Sequence, residues 1–297
     1  MTAQCIAIVA PGDMGHGVGA ALKAVGRDVV TCLEGRSART RGLAEKAGFR
    51  DLPSLDDLVR EADLVLSILP PDKVQELADA VADAMRRTGA TPPYMDCNAV
   101  SPATAERVAG TVSAAGALAI DCGIVGLAPG KSAQPTRFYV SGTDLSPAEA
   151  LAVDGIAVRP LSGGIGRASA LKMLYAGLNK GRFSLFATIA TAAEALDLTD
   201  ELTAELGFSQ KDTLTYIERQ IPRLPADSAR WAPEMDEIAA TLEAAGVTGD
   251  FHRGAAWIMR LLAQTPFAAE TRETIDDSRT LKQTLEEVVR HLDGGRQ

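Results

Sequence analysis

The stretch IAIVAPGDMGHGVGAAL, from Ile6 to Leu22, joins an apolar strand-like run, a glycine-rich turn and the amphipathic start of a helix. Strand, turn and helix in that order are the setting of a dinucleotide-binding fingerprint. Glycines there permit a tight turn, close approach of backbone to a pyrophosphate and close helix packing, while the helix N-terminus offers N–H groups to the phosphates. Gly12 and Gly15 fill the second and third glycine positions, and Ala10 stands at the first, where a turn with negative φ tolerates alanine. Gly12, Asp13, Met14 and Gly15 are the expected cofactor-binding turn.

The next strand-like run, DVVTCL (28–33), ends in Glu34-Gly35-Arg36-Ser37. A carboxylate at this place receives ribose hydroxyls, whereas arginine and serine grip a 2′-phosphate. Both signals are present. Arg36 and Ser37, with Arg39 beyond, stand where a phosphate would lie, so NADP is expected as the cofactor, with NAD left possible by Glu34.

Further strand-like runs are LVLSIL (64–69), YMDCN (94–98), ALAIDCGIV (117–125), RFYVSG (137–142) and IAVRPL (156–161). Several are apolar throughout, which suits a parallel sheet covered on both faces. Between them lie helices with readable starts: Ser101-Pro102 and Ser146-Pro147 set a cap before proline, and Asp72 is a candidate cap for a helix over 72–86. Ser162-Gly163-Gly164 reads as the domain exit, and the pattern changes after Gly166. One long helix is expected over 167–196 despite Gly177 and Gly181, then helical segments over 199–221, 227–245, 250–263 and 271–292. The expected architecture is α/β: an N-terminal Rossmann-type doubly wound sheet (1–163) followed by an all-α C-terminal domain (164–297).

Composition narrows the class. The 297 residues carry a net charge of -9 and 46% hydrophobic residues, which argues for a globular protein with no nucleic-acid or anionic-membrane surface. No run approaches the ~18 apolar residues of a membrane span, and no leader-like segment opens the chain, so a cytoplasmic location is expected. Cys5, Cys32, Cys97 and Cys122 are too far apart for zinc spacing and read as buried free thiols, and His16, His252 and His291 are too few for a histidine-built metal site. Gly126 to Ser132 resembles a phosphate loop but is one residue short, with no helix pattern after it, and reads as a mobile surface loop. His252 reads as a surface histidine; Ala255, Ile258, Met259 and Leu262 form a core or dimer stripe. The RWAPEMDE segment from Arg230 to Glu237 reads equally as a cleft or dimer contact and as helix packing.

These motifs together resemble the β-hydroxyacid dehydrogenase superfamily, which includes 3-hydroxyisobutyrate and 6-phosphogluconate dehydrogenases. The carriers are Gly12-Asp13-Met14-Gly15, Gly35-Arg36-Ser37, Leu69-Pro70, the run from Asp96 to Pro102, the run from Asp121 to Gly126, and Gly164-Ile165-Gly166 leading to Lys172. LEGRS, DCNAVSP, GRASALKMLYAGLNKG and APEMDEIAATLEAAG resemble a poorly characterised phosphogluconate-dehydrogenase-like subgroup. The resemblance implies a Rossmann domain, a helical domain and a homodimer. It also implies that Leu69, Pro70 and Asn98 border the cofactor, although Asn98 reads equally as a turn cap, and that Lys172 is the catalytic lysine. A lysine whose pKa is lowered by burial donates a proton to the oxygen of a carbonyl accepting hydride, or removes it in the reverse direction.

Two departures bear on the substrate. Where the superfamily carries Ser-Gly-Gly to hold a carboxylate, the aligned run is Ile124-Val125-Gly126-Leu127, after Gly123; where it carries an asparagine one turn beyond the lysine, the chain has Tyr175-Ala176. Tyr175 and Asn179 share a helical face with Lys172 and are the substitute candidates, so Gly123, Ile124, Val125, Tyr175 and Asn179 make up the expected substrate set. The expected activity is hydride transfer between NADP and a carbonyl or alcohol substrate that is 3-hydroxyacid-like; the two departures argue against a short 3-hydroxy acid held in the usual way and suit a longer or less acidic one. An imine reductase and a non-catalytic NAD(P)-binding sensor are the alternatives.

Overall fold

The structure is a computed structural model describing residues 4–9, 11–271 and 273–292; Ala10 lies outside the described residues. The chain divides into two compact units, Met1–Met173 and Leu174–Gln297.

In the first unit the described residues form one sheet of eight strands. These are β1 (Cys5–Val9), β2 (Asp28–Thr31), β3 (Arg50–Asp51), β4 (Leu64–Ser67), β5 (Tyr94–Asp96), β6 (Ala119–Val125), β7 (Thr136–Ser141) and β8 (Ile156–Pro160), in the order β3-β2-β1-β4-β5-β6-β7-β8. All neighbours are parallel except β6 and β7. The ten residues 126–135 between those two are too few for a crossover helix, so the chain turns back on itself. The chain crosses from the β1-β2-β3 half to β4 beside β1. A doubly wound sheet opens its ligand crevice at such a reversal, outside the carboxyl ends of the strands.

Helices α1 (Asp13–Ala24), α2 (Ala38–Lys46), α3 (Leu55–Glu61), α4 (Val74–Thr88) and α5 (Pro102–Ser113) alternate with the strands. Val18 and Leu22 of α1 pack with Ile6, Ile8, Ile124 and Phe138 on one face of the sheet; Leu58, Val81 and Val108 of α3, α4 and α5 pack with Ala7, Val65 and Tyr94 on the other. Both faces are thus covered, the reason these strands read as unbroken apolar runs.

Three expected starts resolve differently. Ser101 caps α5 by accepting the Thr104 N–H at 3.3 Å. Asp72 caps nothing: Pro71–Lys73 form a 3₁₀ turn, and α4 begins after Lys73 with no side-chain cap. Ser146 opens only a 3₁₀ segment, Ser146–Leu151, and it is Asp144 that accepts the Ser146 N–H at 2.9 Å. The two-residue β3 carries no apolar run of its own and was not legible; its Asp51 accepts the Leu33 N–H.

The second unit is helical among the described residues. Helix α6 (Arg167–Ala195) contains the division between units at Met173, ten residues beyond the expected boundary, because its first turn is bonded to the sheet. Then come α7 (Thr199–Ser209), α8 (Lys211–Gln220), α9 (Pro225–Ala244), α10 (Asp250–Leu262) and α11 (Leu281–Val289). The expected single segment over 199–221 breaks at Gln210, whose backbone at φ -145°, ψ 52° is not helical. The last helix starts only at a Thr280–Gln283 capping box. No described helix is long and apolar enough to cross a membrane.

Gly177 and Gly181 persist inside α6 for a packing reason. A Cβ on Gly177 would come within 3.0 Å of Ile238 and 3.3 Å of the His252 ring, and one on Gly181 within 3.2 Å of the same ring. His252 is therefore buried at 8% exposure, contrary to its reading as a surface residue, with Nε2 3.2 Å from the Gly177 carbonyl. Ala255, Ile258, Met259 and Leu262 are buried. In the RWAPEMDE segment, Glu234 is buried against Lys180 and Arg230, and Trp231 lies under the Lys180 ammonium and beside Phe183.

Candidate active site

Strand β1 leads into α1, whose N-cap is Gly12 in extended conformation with no side-chain cap. A Cβ built on Gly12 would meet nothing within 4 Å, so the helix end faces open space. That is the form a pyrophosphate site needs, with N–H groups not covered by a capping side chain and no side chain in the approach. Gly15 is buried and Met14 packs at the edge of the core. One turn on, a Cβ at Gly17 would lie 2.9 Å from that of Ala128, so the loop after β6 rests on α1. Asp13 pairs with Arg39 at 2.7 Å on the surface. Burial, then Lys46 and Lys131, lower the His16 pKa against the opposing pull of Asp13.

The turn after β2 is braced from within. Gly35 takes φ +69°, a conformation natural to glycine. Arg41 donates to the carbonyls of Leu33 and Arg36, and Ser37 caps α2 by accepting the Thr40 N–H at 3.2 Å. Glu34 is exposed. Arg36 Nε is buried with no partner among the described residues, an orphaned donor in the loop where a 2′-phosphate is expected. Arg41 escaped the sequence reading because its role is to hold backbone, which no residue pattern announces.

Asn98 is engaged on both sides of its amide. Its oxygen accepts the Leu69 N–H at 2.6 Å, and its nitrogen donates to Ser67 Oγ at 2.7 Å and to Asp96. It straps the exits of β4 and β5 together and holds the backbone at Leu69, just before Pro70.

Strand β6 positions α6. Asp121 is 1% exposed, and its Oδ2 accepts the backbone N–H groups of Gly166, Ala168 and Ser169 at 2.8, 3.0 and 3.1 Å and the Ser141 hydroxyl at 3.1 Å. Ser169 donates its hydroxyl to Oδ1 at 2.6 Å. A carboxylate at a helix N-terminus meets both the free N–H groups and the positive end of the dipole. Two residues along, a Cβ on Gly123 would fall 2.6 Å from the Ala168 carbonyl oxygen and 2.9 Å from Lys172 Cβ. Only glycine lets α6 lie this close. Gly123 and the half-buried Lys172 are therefore neighbours at the C-terminal half of β6.

Alternation along β6 sorts the other expected substrate residues. Val125 is on the Gly123 face, whereas Ile124 packs into the opposite face with Phe138 and Val140. Cys122 also points away, in contact with Cys97 of the neighbouring strand; burial, first, and then the Cys122 thiol push the Cys97 pKa up, as buried free thiols require. Further along α6, in the second unit, Tyr175 is exposed and Asn179 donates to the Tyr175 carbonyl at 3.1 Å.

Comparisons with known proteins bear on the family and the fold. The family described as NAD binding domain of 6-phosphogluconate dehydrogenase matches residues 5–153, and a domain of unknown function, DUF1932, matches residues 193–262. An uncharacterized 28.5 kDa protein of Methanothermus fervidus is 27% identical over 175 residues, 59% of this chain; the match spans 65% of that relative's length. The solved structure of MTH1747, a conserved protein of unknown function with structural similarity to 3-hydroxyacid dehydrogenases, is similar at TM-score 0.60 and 24% identity, covering 87% of this chain and 98% of that one. Mycobacterium tuberculosis 3-hydroxyisobutyrate dehydrogenase is similar at TM-score 0.61 and 20% identity, covering 96% and 99%. With its fingerprint turn, its doubly wound sheet and a family match over half its length, the chain belongs to the family described as NAD binding domain of 6-phosphogluconate dehydrogenase.

Proposed function

We propose that this protein transfers hydride between NADP(H) and a small carbonyl or alcohol compound, with Lys172 as the general acid and base. The observation that carries this reading is the contact of Lys172 with Gly123, on a helix pinned to the sheet by Asp121. A proton-transfer group must be held in one place relative to the reacting oxygen, and four bonds to one carboxylate, from Gly166, Ala168 and Ser169, hold the start of this helix.

The backbone N–H groups from Gly12 to Gly15 would hold the pyrophosphate, Arg36 and Ser37 the 2′-phosphate, and Leu69 and Pro70 the nicotinamide side, with Asn98 setting the Leu69 backbone. The bound nicotinamide supplies or accepts the hydride. Lys172 gives a proton to the substrate oxygen in reduction and takes it in oxidation, while Val125 and Gly123 flank it on the sheet. In the helical unit, Tyr175 and Asn179 remain candidates for substrate contacts.

The preference for NADP rests on Arg36, whose buried Nε lacks a partner among the described residues. A homodimer is supported by apolar side chains left outside on the helical unit, Leu178 at 77% exposure and Phe208 at 90%. The cytoplasm is the compartment that free, buried thiols suit.

The test is cofactor depletion against a pooled panel of hydroxy acids, alcohols, oxo acids and ketones, run in parallel with NADPH and NADH and with the oxidised forms. Turnover of at least one pool, faster with the phosphorylated cofactor, is expected. No hydride transfer with any pool under either cofactor favours the sensor alternative.

A further inference from the structure

Beyond Val125 the sequence offers no hydroxyl where the superfamily holds a substrate carboxylate. The sheet supplies a different group there. Val125 is paired with Arg137 on β7, Gly123 with Tyr139 and Asp121 with Ser141. Directly opposite residues in an antiparallel pair point to the same side. The Ser141 hydroxyl bonded to Asp121 and the Gly123 contact with Lys172 identify that side as the one facing α6. Arg137 therefore projects from the face that carries Lys172, one diagonal step of the ladder, about 7–8 Å, from Gly123.

Its guanidinium has a defined place. A Cβ built on Gly126 would find Arg137 Nη2, Nη1 and Cζ at 3.4, 3.5 and 3.6 Å, so the planar group lies along the exposed backbone where β6 ends. It makes one bond, Nη1 to the Pro135 carbonyl at 3.0 Å, and no carboxylate pairs with it among the described residues. In a chain of net charge -9 whose arginines at 39, 50, 87, 230, 253, 260 and 279 all have carboxylate partners, this one does not.

We propose that Arg137 is a specificity-determining residue that binds an oxyanion of the substrate, a carboxylate, phosphate or phosphonate, in place of the missing hydroxyl. A half-buried guanidinium with N–H groups to spare suits a two-pronged hold on such a group. The substrate is then an oxo or hydroxy compound carrying an anionic group, fixed at the end of β6 while its reacting carbon faces Lys172. This rests on the hydride-transfer reading for the word substrate, but the binding of the anion is measurable without turnover.

The experiment is ligand-observed saturation-transfer NMR on the full chain with NADP present, titrating propionate and methylphosphonate separately, with acetone as the neutral control. Arg137→Gln removes the charge and the guanidinium fork and keeps a shorter polar amide; Arg137→Lys keeps the charge. Expected is saturable binding of at least one anion, weakened about 10-fold or more in Arg137→Gln, largely retained in Arg137→Lys, and no change for acetone. Whichever anion binds tells carboxylate from phosphonate. As a check needing no folded glutamine variant, anion addition should shift the arginine Nε–H resonance that is missing from the Arg137→Lys spectrum. Equal anion affinity in wild type and Arg137→Gln, or no saturable anion binding at all, overturns the proposal. Turnover of neutral ketones alone with no anion binding would overturn it while leaving hydride transfer standing; anion binding lost in Arg137→Gln without turnover would do the reverse.

Discussion

Asp121 and Ser169 are joined twice: the Ser169 hydroxyl donates to Oδ1 at 2.6 Å and its backbone N–H to Oδ2 at 3.1 Å. The pair fastens the first turn of α6 to β6, and Lys172 follows one turn later. Removing the carboxylate leaves the Gly166 and Ser169 N–H groups without their acceptor in a buried site, while the Ala168 N–H keeps the Ser141 hydroxyl at 3.1 Å. Asp121→Ala is expected to lower stability by about 3–5 kcal/mol, the range for breaking a buried charged network. Asp121→Asn, which keeps one acceptor, should cost less. Urea unfolding of both variants, with the cofactor absent, measures the difference.

Gly123→Ala tests the closeness of helix and strand. Its new Cβ would sit 2.6 Å from the Ala168 oxygen and 2.9 Å from Lys172 Cβ, so α6 must shift. The overpacking should cost about 1–3 kcal/mol. A displaced Lys172 should lower kcat by about 10- to 100-fold. NADPH affinity, which depends on the turn after β1, should stay within a few fold in fluorescence titrations.

Arg36→Ala separates the two cofactors. Losing charge-assisted bonds to a 2′-phosphate should weaken NADPH binding about 10- to 100-fold and leave NADH binding nearly unchanged. If NADPH preference survives the substitution, Arg36 is not the phosphate clamp.

Much of the first unit was legible because its strands are buried on both faces and so keep an unmixed apolar signal, as in LVLS at β4. The glycine turn and the Ser101 cap were legible because their chemistry is local. What escaped is non-local. Asp121 looked like one carboxylate at a strand end, and nothing in its neighbours announces a helix forty-five residues later bonded to it. Gly123 looked like a substrate residue, and its use as a space for Lys172 shows only when strand and helix meet. His252 read as exposed because its partners, Gly177 and Gly181, lie on another helix.

Burial, and to a smaller degree Asp28, raise the Cys5 thiol to about 11 from 9.0. An acid whose folded pKa is raised favours folding while it stays protonated. Between pH 9 and about 11 the unfolded chain has lost this proton and the folded chain has kept it, so stability falls as pH rises through that window and is fully present below it. Cys5→Ser should flatten the decline in thermal midpoint across that window without altering the midpoint's pH dependence near neutrality. Thiol reagents at pH 8 should leave Cys97 and Cys122 unmodified until the protein unfolds.

The measurement that bears most directly on the account is single-turnover hydride transfer by Lys172→Met, beside wild type, with the most active substrate pool and NADPH. The rate is expected to fall at least 100-fold while NADPH affinity stays within about 3-fold, because the lysine moves the proton and does not hold the cofactor. A variant that keeps hydride transfer within about 3-fold of wild type would contradict it and remove Lys172 from the chemistry.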